Sequence, residues 1–209
     1  MRDVEELRFP SADGTVLEGE LAPADDPFAA VVLCHPHPQY GGSMRAGIIG
    51  DLFRALPARG LTTLRFNFRG VERSEGAWDA GRGECEDARA AVHTLDAAVP
   101  TALPLLLIGW SFGADMALSV HHPRVAGWCA IAPPLHFATG VDETGVDSRP
   151  KHLILGELDD VVSAERIAEL SATWRATTRE TIPGATHFFV GRSAEVSAAA
   201  VKFCTARCR

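Results

Sequence analysis

The chain has 209 residues, with 46% hydrophobic and 22% charged residues and a formal net charge of −7 at neutral pH. This balance is typical of a globular protein and excludes a disordered one, and the length fits a single domain over residues 1–209 with a substantial core. The acidic balance disfavours nucleic acid as a partner, because a phosphate backbone would be repelled on average.

Neither a leader nor a membrane span is expected from the sequence. The N-terminal segment MRDVEELRFP mixes both charge signs and lacks the apolar stretch of a signal peptide. The longest apolar run, Leu103–Ile108, is far shorter than the roughly 20 residues that cross a bilayer. Cys204 and Cys208 are spaced i, i+4, but no second ligand pair completes a zinc site. We therefore expect a cytoplasmic protein with no membrane partner.

In chain order, two short strands come first, near Val4–Phe9 and Val16–Leu21, and they flank the turn signal Ala12-Asp13-Gly14 of an antiparallel hairpin. Apolar runs then alternate with stretches of helical spacing, which predicts a mostly parallel sheet of about eight strands with helices on both faces. The later predicted strands are Ala29–Cys34, Thr62–Phe66, Pro104–Ile108, Gly127–Ala132, Lys151–Leu155 and Arg179–Ile182. The predicted helices are Arg45–Arg59, Glu84–Ala98, Phe112–Val120, Ser163–Arg175 and Ser193–Cys204.

A candidate nucleophile lies between one of these strands and the next helix. The segment GWSFG at 109–113 matches G-x-S-x-G, a sharp strand-to-helix turn that exposes a serine hydroxyl above the sheet. The five-residue pattern is weak alone in a chain with 19 glycines, but a buried strand precedes it and a helix follows. We therefore predict that Ser111 is the nucleophile of an α/β-hydrolase fold rather than a serine in an ordinary tight turn.

Base and acid candidates follow in the chain order Ser, acid, His that this fold uses. Of eight histidines, only His187 lies downstream of a plausible acid, in the Gly-containing loop PGATHFF. The acid must reach the imidazole Nδ1 from the loop after strand Lys151–Leu155. Asp159 is favoured there, with Asp160 as its competitor and Glu157 third.

Backbone N–H groups are expected to form the oxyanion hole. One belongs to Phe112, the residue after the nucleophile, and the other to the loop HPHPQYGG after the third strand. Pro36 and Pro38 have no N–H, so His37 is the best candidate and Gln39 the second. The alternative in which His35 and His37 bind a metal is disfavoured, because no further ligand follows at suitable spacing.

Two further sets of residues fall in the loops at the strands' carboxyl ends. Arg69 and Ser74 are expected to fix the turn after Thr62–Phe66 rather than to catalyse. Aromatic side chains are candidates to line an apolar substrate pocket, although each is individually also typical of core packing. They are Tyr40, Trp110, Phe112, Phe137 and Phe188.

Five segments in order, CHPHPQYGGSM, RFNFRGVERSEG, GWSFGADMAL, LGELDDVV and PGATHFF, resemble a bacterial family of small, single-domain, lid-less α/β-hydrolases. The family is related to dienelactone-hydrolase-like and serine-aminopeptidase-like enzymes. The resemblance covers nearly the whole chain and implies a Ser-Asp-His triad at Ser111, Asp159 and His187, without a cap. The connection after Gly127–Ala132, where such lids are commonly inserted, has only about twenty residues, which leaves little room for a lid; a short helix within the connection would upset this inference.

Two positions depart from the family's pattern. Glu72 stands where a glycine is usual in the R-G-x-G turn, and Asp115 puts a charge on the helix after the elbow. A dienelactone hydrolase proper would carry Cys where this chain has Ser111, which puts that substrate in doubt.

The hypothesis is a serine hydrolase of the carboxylesterase type that cleaves a small-molecule ester through an acyl-enzyme, with no metal or organic cofactor. An amidase, peptidase or thioesterase with the same triad is an alternative. A hydrolase-fold binding protein that has lost catalysis is another, because fold alone does not prove function.

Overall fold

The computed structural model describes residues 3–208, and its side chains are described as far as residue 206. These residues form eight β-strands and six α-helices. The strands are β1 Glu5–Pro10, β2 Val16–Ala22, β3 Ala29–Cys34, β4 Leu61–Phe66, β5 Leu105–Trp110, β6 Val125–Ile131, β7 Lys151–Gly156 and β8 Thr177–Ile182. The helices are α1 Gly47–Ala55, α2 Arg82–Ala98, α3 Phe112–Leu118, α4 Val141–Val146, α5 Ala164–Leu170 and α6 Ser193–Cys208.

All the strands join one sheet, in the order β1-β2-β4-β3-β5-β6-β7-β8. The hairpin β1–β2 is antiparallel and pairs Phe9 with Leu17, and β2 also runs antiparallel to β4. Every other neighbouring pair is parallel. The carboxyl ends of β3 to β8 therefore meet at one edge, where ligand sites of open α/β sheets are found.

The two central strands explain why helices cover both faces of the sheet. Every residue of β3, with sequence AAVVLC, and of β5, with sequence LLLIGW, is buried, as continuous apolar runs require. Helices α1 and α6 pack on one face through residues such as Leu52 and Val196. Helices α2, α3 and α5 pack on the other through Val92, Met116 and Ile167. The expected α/β-hydrolase architecture is thereby confirmed.

Three predicted helices were too long, and one of them, Phe112–Val120, only slightly, since α3 ends at Leu118. The segment predicted as helix Arg45–Arg59 contains α1 and then a separate 3₁₀ turn at Pro57–Arg59, because proline cannot continue an α-helix. The helix predicted to reach Arg175 ends at Leu170. Ser171 turns its hydroxyl back to the Ile167 carbonyl at 2.6 Å and accepts a hydrogen bond from Arg179 of β8 at 2.9 Å, which fixes the end of α5.

The C-terminal helix α6 was predicted too short, since it continues past Cys204 to Cys208. The side chain of Cys208 lies outside the described residues, so the expectation about the Cys204–Cys208 pair stays a prediction. No helix in the described part of the chain combines the length and the apolar character needed to cross a membrane.

The connection between β6 and β7 contains the short helix α4. Thr144 of α4 donates its hydroxyl to the Leu118 carbonyl at 2.6 Å, which ties the connection to the end of α3. Among residues 3–208 no cap domain is inserted here, as the short loop predicted. The carboxyl edge of the sheet is therefore open to solvent.

Candidate active site

Ser111 occupies a strained turn between β5 and α3. Its backbone has φ 54° and ψ −122°, a conformation rare for any residue with a side chain. A Cβ atom at Gly109 would lie 2.1 Å from the Gly113 oxygen, and one at Gly113 would lie 2.3 Å from the His35 oxygen. Only glycine allows these backbones to approach so closely, which is the physical reason for the G-x-S-x-G pattern.

His187 lies between the other two candidate residues. Its Nε2 is 2.9 Å from the Ser111 Oγ, and its Nδ1 is 2.9 Å from the Asp159 Oδ2. The carboxylate only accepts hydrogen bonds, so Nδ1 carries the proton and Nε2 is left to accept from the serine hydroxyl. The three side chains that sequence reasoning singled out therefore form one continuous chain of hydrogen bonds.

The loop after β7 contains three acidic residues that could orient His187, and their positions distinguish them. The Asp159 side chain is fully buried, and its second oxygen, Oδ1, accepts the N–H groups of Val161 at 2.9 Å and Val162 at 2.7 Å. Asp160 is exposed, and Glu157 instead accepts the Gly184 N–H at 2.7 Å. Of the three candidates, only Asp159 reaches the imidazole.

Trp110, which was expected only to line the pocket, also contacts the histidine loop. Its indole N–H donates to the backbone carbonyl of His187 at 3.3 Å. The Leu158 N–H donates to the Ala185 carbonyl at 2.8 Å, which joins the loop of the acid to the loop of the base. No sequence pattern indicates the indole contact, because the two residues are 77 positions apart.

His35 holds the loop after β3 in place. Its Nδ1 donates to the Pro36 carbonyl at 2.6 Å, and its Nε2 accepts the Phe68 N–H at 3.0 Å. Complete burial lowers the pKa of His35 to about 4, so the ring is neutral at pH 7. Both ring nitrogens are occupied, and within residues 3–208 no group of three His, Cys, Asp or Glu residues is placed to hold a metal ion.

The backbone N–H groups expected to form the oxyanion hole differ in whether they already donate a hydrogen bond within the protein. Phe112 begins α3, where N–H groups have no partner within the helix. The Gln39 N–H donates to the His37 ring at 3.2 Å and is therefore already used. Within the described part of the chain, the His37 N–H has no hydrogen-bond acceptor. This geometry favours His37 over Gln39.

A cavity of about 670 Å³ opens beside Ser111 and His187. All the predicted pocket residues line it: Tyr40, Trp110, Phe112, Phe137 and Phe188. Its lining includes no Asp, Glu, Lys or Arg among the described residues. Tyr40 and Phe188 stand at the mouth, with 87% and 64% of their surface exposed. The arrangement is an apolar pocket beside the half-buried hydroxyl of Ser111.

Trp78 belongs to the aromatic cluster around this pocket, and sequence reasoning missed it. Its ring lies 4.5 Å from the His37 ring and 5.0 Å from the Phe112 ring. It sits in the irregular segment between β4 and α2, where no periodicity marks a buried side.

Arg69 and Ser74 fix the turn after β4 through an ion pair and a hydrogen bond, in agreement with the expectation that they hold this turn. Arg69 forms a two-pronged ion pair with the buried Asp87 of α2, which raises the pKa of the guanidinium. Ser74 donates its hydroxyl to the Asn67 carbonyl at 2.7 Å. Glu72 has a positive φ of 47°, which explains why glycine suits this position, and its carboxylate pairs with Arg45 at 2.5 Å.

Known proteins resemble this chain over almost its full length. The uncharacterized protein RP471 of Rickettsia prowazekii is 34% identical over 207 residues, 93% of this chain and 86% of that protein. An α/β serine hydrolase homologue from Coxiella burnetii is 31% identical with a TM-score of 0.85, covering 95% of this chain and 96% of its own. XC6422 from Xanthomonas campestris, an α/β serine hydrolase without a lid, is 26% identical with a TM-score of 0.85, covering 97% and 94%. No family model matches.

The chain therefore belongs to the family of lid-less α/β serine hydrolases. It is a hydrolase, and the resemblance stated from its sequence motifs is confirmed.

Proposed function

We propose that the protein hydrolyses carboxylic esters of small molecules through an acyl-enzyme intermediate, with Ser111 as nucleophile, His187 as general base and Asp159 as the residue that orients it. The single observation that carries the proposal is the pair of 2.9 Å contacts on the two sides of the His187 ring. A serine hydroxyl is a weak nucleophile until an adjacent base accepts its proton, and this geometry supplies that base.

The first half of the reaction forms the acyl-enzyme. The Ser111 Oγ attacks the ester carbonyl while its proton passes to the His187 Nε2, and Asp159 stabilises the resulting imidazolium through Nδ1. The negative charge on the former carbonyl oxygen is stabilised by the N–H groups of Phe112 and His37. The bond to the leaving oxygen then breaks, and His187 protonates the departing alcohol.

Water completes the cycle by the same steps. His187 removes a proton from the water molecule, the resulting hydroxide attacks the acyl carbon, and the tetrahedral intermediate collapses. The bond to the Ser111 Oγ breaks, the serine recovers its proton from His187, and the carboxylic acid leaves.

The cavity supports an uncharged, apolar acyl group. Its lining contains aromatic rings, glycines and prolines but none of the four permanently charged residue types within the described residues. An exopeptidase needs a carboxylate or a cation to recognise a peptide terminus, and neither lines this cavity. Ester cleavage is therefore favoured over the peptidase alternative, and amide and thioester substrates are outcomes of the test.

The test combines labelling and turnover. The native protein and Ser111→Ala are incubated with a fluorophosphonate probe and with p-nitrophenyl esters of increasing acyl length, alongside matched thioesters and anilides. We expect labelling and ester turnover by the native protein and neither by Ser111→Ala. A native protein that neither labels nor turns over any of these substrates would overturn the proposal in favour of a binding protein.

A further inference from the structure

Asp115 is a buried carboxylate with an unusual set of partners. It lies one turn into α3 and is completely buried. Its Oδ1 accepts the N–H of Leu135 and its Oδ2 accepts the N–H of Phe137, both at 2.9 Å. Within the described residues no cationic side chain forms an ion pair with Asp115. The negative charge of its carboxylate is therefore stabilised by these backbone N–H groups.

One turn further along α3, Ser119 continues the same pattern. Its hydroxyl accepts the Thr139 N–H at 2.8 Å and donates to the Asp115 carbonyl at 2.8 Å. One side of α3 therefore holds three alternate N–H groups of the segment 135–139. That segment has no regular secondary structure of its own to satisfy them.

This segment forms one wall of the cavity beside Ser111. Pro134, His136 and Phe137 line the cavity, and the Phe137 ring lies 5.2 Å from the Phe112 ring. Leu135 has a positive φ of 60°, a strained conformation that persists only when surrounding contacts enforce it. Leu135 and Phe137, the residues on either side of His136, both donate hydrogen bonds to Asp115, and these two bonds hold the strained backbone in place.

Burial of the Asp115 carboxylate in the core costs electrostatic free energy. Burial raises its pKa to about 7, while the N–H groups of Leu135 and Phe137 act in the opposite direction. An apolar side chain at this position would avoid the desolvation but would leave the part-buried N–H groups of Leu135 and Phe137 without their acceptors. What Asp115 contributes is therefore the position of the segment 135–137.

We propose that Asp115 is a positioning residue that fixes the Leu135–Phe137 wall of the cavity and thereby sets the selectivity of the protein among acyl groups of different size. The inference rests on the proposed esterase function. Asp115 does not contact Ser111's hydroxyl, His187 or Asp159, so the effect is on the shape of the cavity and not on proton transfer.

Asp115→Asn is the most informative variant, because an amide keeps one acceptor oxygen but turns an NH₂ group towards the second N–H. We expect the ratio of kcat/KM for p-nitrophenyl butyrate to that for the octanoate to change by on the order of tenfold, mainly through KM, with kcat for the acetate changed less than about threefold. Ser119→Ala releases Thr139 but not the lining residues, so we expect its profile to stay close to that of the native protein.

A matched control variant separates the effect of lower stability from the effect of a displaced cavity wall. Leu95→Ala removes a fully buried side chain of α2 that does not line the cavity. If it lowers the melting temperature as much as Asp115→Asn and shifts acyl selectivity equally, the positioning role is wrong. The role is equally wrong if Asp115→Asn leaves the acyl profile unchanged.

Hydrogen exchange gives a readout that needs no turnover. We expect faster exchange at the Leu135 and Phe137 amides in Asp115→Asn, and at the Thr139 amide alone in Ser119→Ala. Faster exchange with an unchanged acyl profile would overturn the selectivity claim while leaving the esterase function standing. Absence of ester turnover by the native protein would overturn the proposed function and the selectivity claim together.

Discussion

The indole of Trp110 donates a hydrogen bond to the backbone carbonyl of His187 at 3.3 Å. The residue directly before the candidate nucleophile therefore holds the loop that carries the candidate base. We therefore expect the distance between the Ser111 hydroxyl and the imidazole to depend on this contact as well as on the turn itself.

Trp110→Phe tests that dependence, because it keeps an aromatic ring and removes the N–H group. We expect kcat for p-nitrophenyl butyrate to fall about tenfold with a smaller change in KM, since misplacement of the base affects the chemical step. Trp128→Phe is a matched control, because it also loses an indole hydrogen bond, to Val120 at 3.2 Å, in the core away from the cavity. Equal losses of kcat in the two variants would contradict a specific role for Trp110.

The identity of the acid is tested by two neighbouring substitutions. Asp159→Asn keeps the shape of the side chain but removes the charge that selects the Nδ1–H tautomer of His187, so we expect kcat to fall by about 10⁴-fold. Asp160→Asn alters an exposed side chain, and we expect kcat within about twofold of the native value. Steady-state kinetics on one p-nitrophenyl ester measure both, and an equally inactive Asp160→Asn would refute the assignment.

The role of the His37 backbone is accessible because this residue has φ −54°, close to the angle that proline fixes. His37→Pro removes the N–H group and the ring together, while His37→Ala removes the ring alone. We expect His37→Pro to have a kcat lower than that of His37→Ala by about 10²- to 10³-fold, the usual cost of one lost oxyanion donor. Similar kcat values for the two variants, with both folded by circular dichroism, would exclude this N–H from the oxyanion hole.

His35 predicts a pH dependence of stability. Its pKa falls from 6.5 in the unfolded chain to about 4 in the folded protein because burial disfavours the charged ring. Between these values the unfolded chain binds a proton that the folded protein does not, so stability falls as the pH is lowered from 6.5 to 4. The shift corresponds to roughly 3 kcal/mol.

The measurement compares His35→Gln with the native protein by urea unfolding at several pH values. Other titrating groups cancel in the difference between the two proteins. We expect the native protein to lose roughly 3 kcal/mol relative to the variant between pH 7 and pH 4. A difference in unfolding free energy that does not vary with pH would show that His35 is not buried in its neutral form.

The sequence predicts the strands and the Ser111 turn well because both depend on local requirements. A fully buried parallel strand needs an apolar run such as that of β5. The turn needs glycine at position 109, where a Cβ atom would meet the backbone of Gly113, and at position 113, where it would meet the carbonyl oxygens at the end of β3. The order nucleophile, acid, histidine along the chain was enough to select Ser111 and His187, but the choice of Asp159 over Asp160 and Glu157 needed the contact between Asp159 and the imidazole.

The parts that sequence reasoning missed depend on contacts between distant segments. Asp115 could be identified as unusual for its position, but its acceptance of the Phe137 N–H follows from the path of an irregular loop twenty-two positions later. The early end of α5 at Leu170 has the same kind of cause, because Arg179 of β8 binds the hydroxyl and carbonyl oxygens of Ser171. Local propensity contains no information about such partners.

The open carboxyl edge of the sheet has a consequence for the rate of the reaction cycle. Many enzymes are limited by a segment that must swing shut over the substrate and reopen before product departs. Among residues 3–208 no cap lies over the cavity, so the proposed reaction cycle needs no such gating step. In the proposed ester cleavage, we expect a bulky alcohol portion to extend past the exposed Tyr40 and Phe188 into solvent while the acyl portion lies in the cavity.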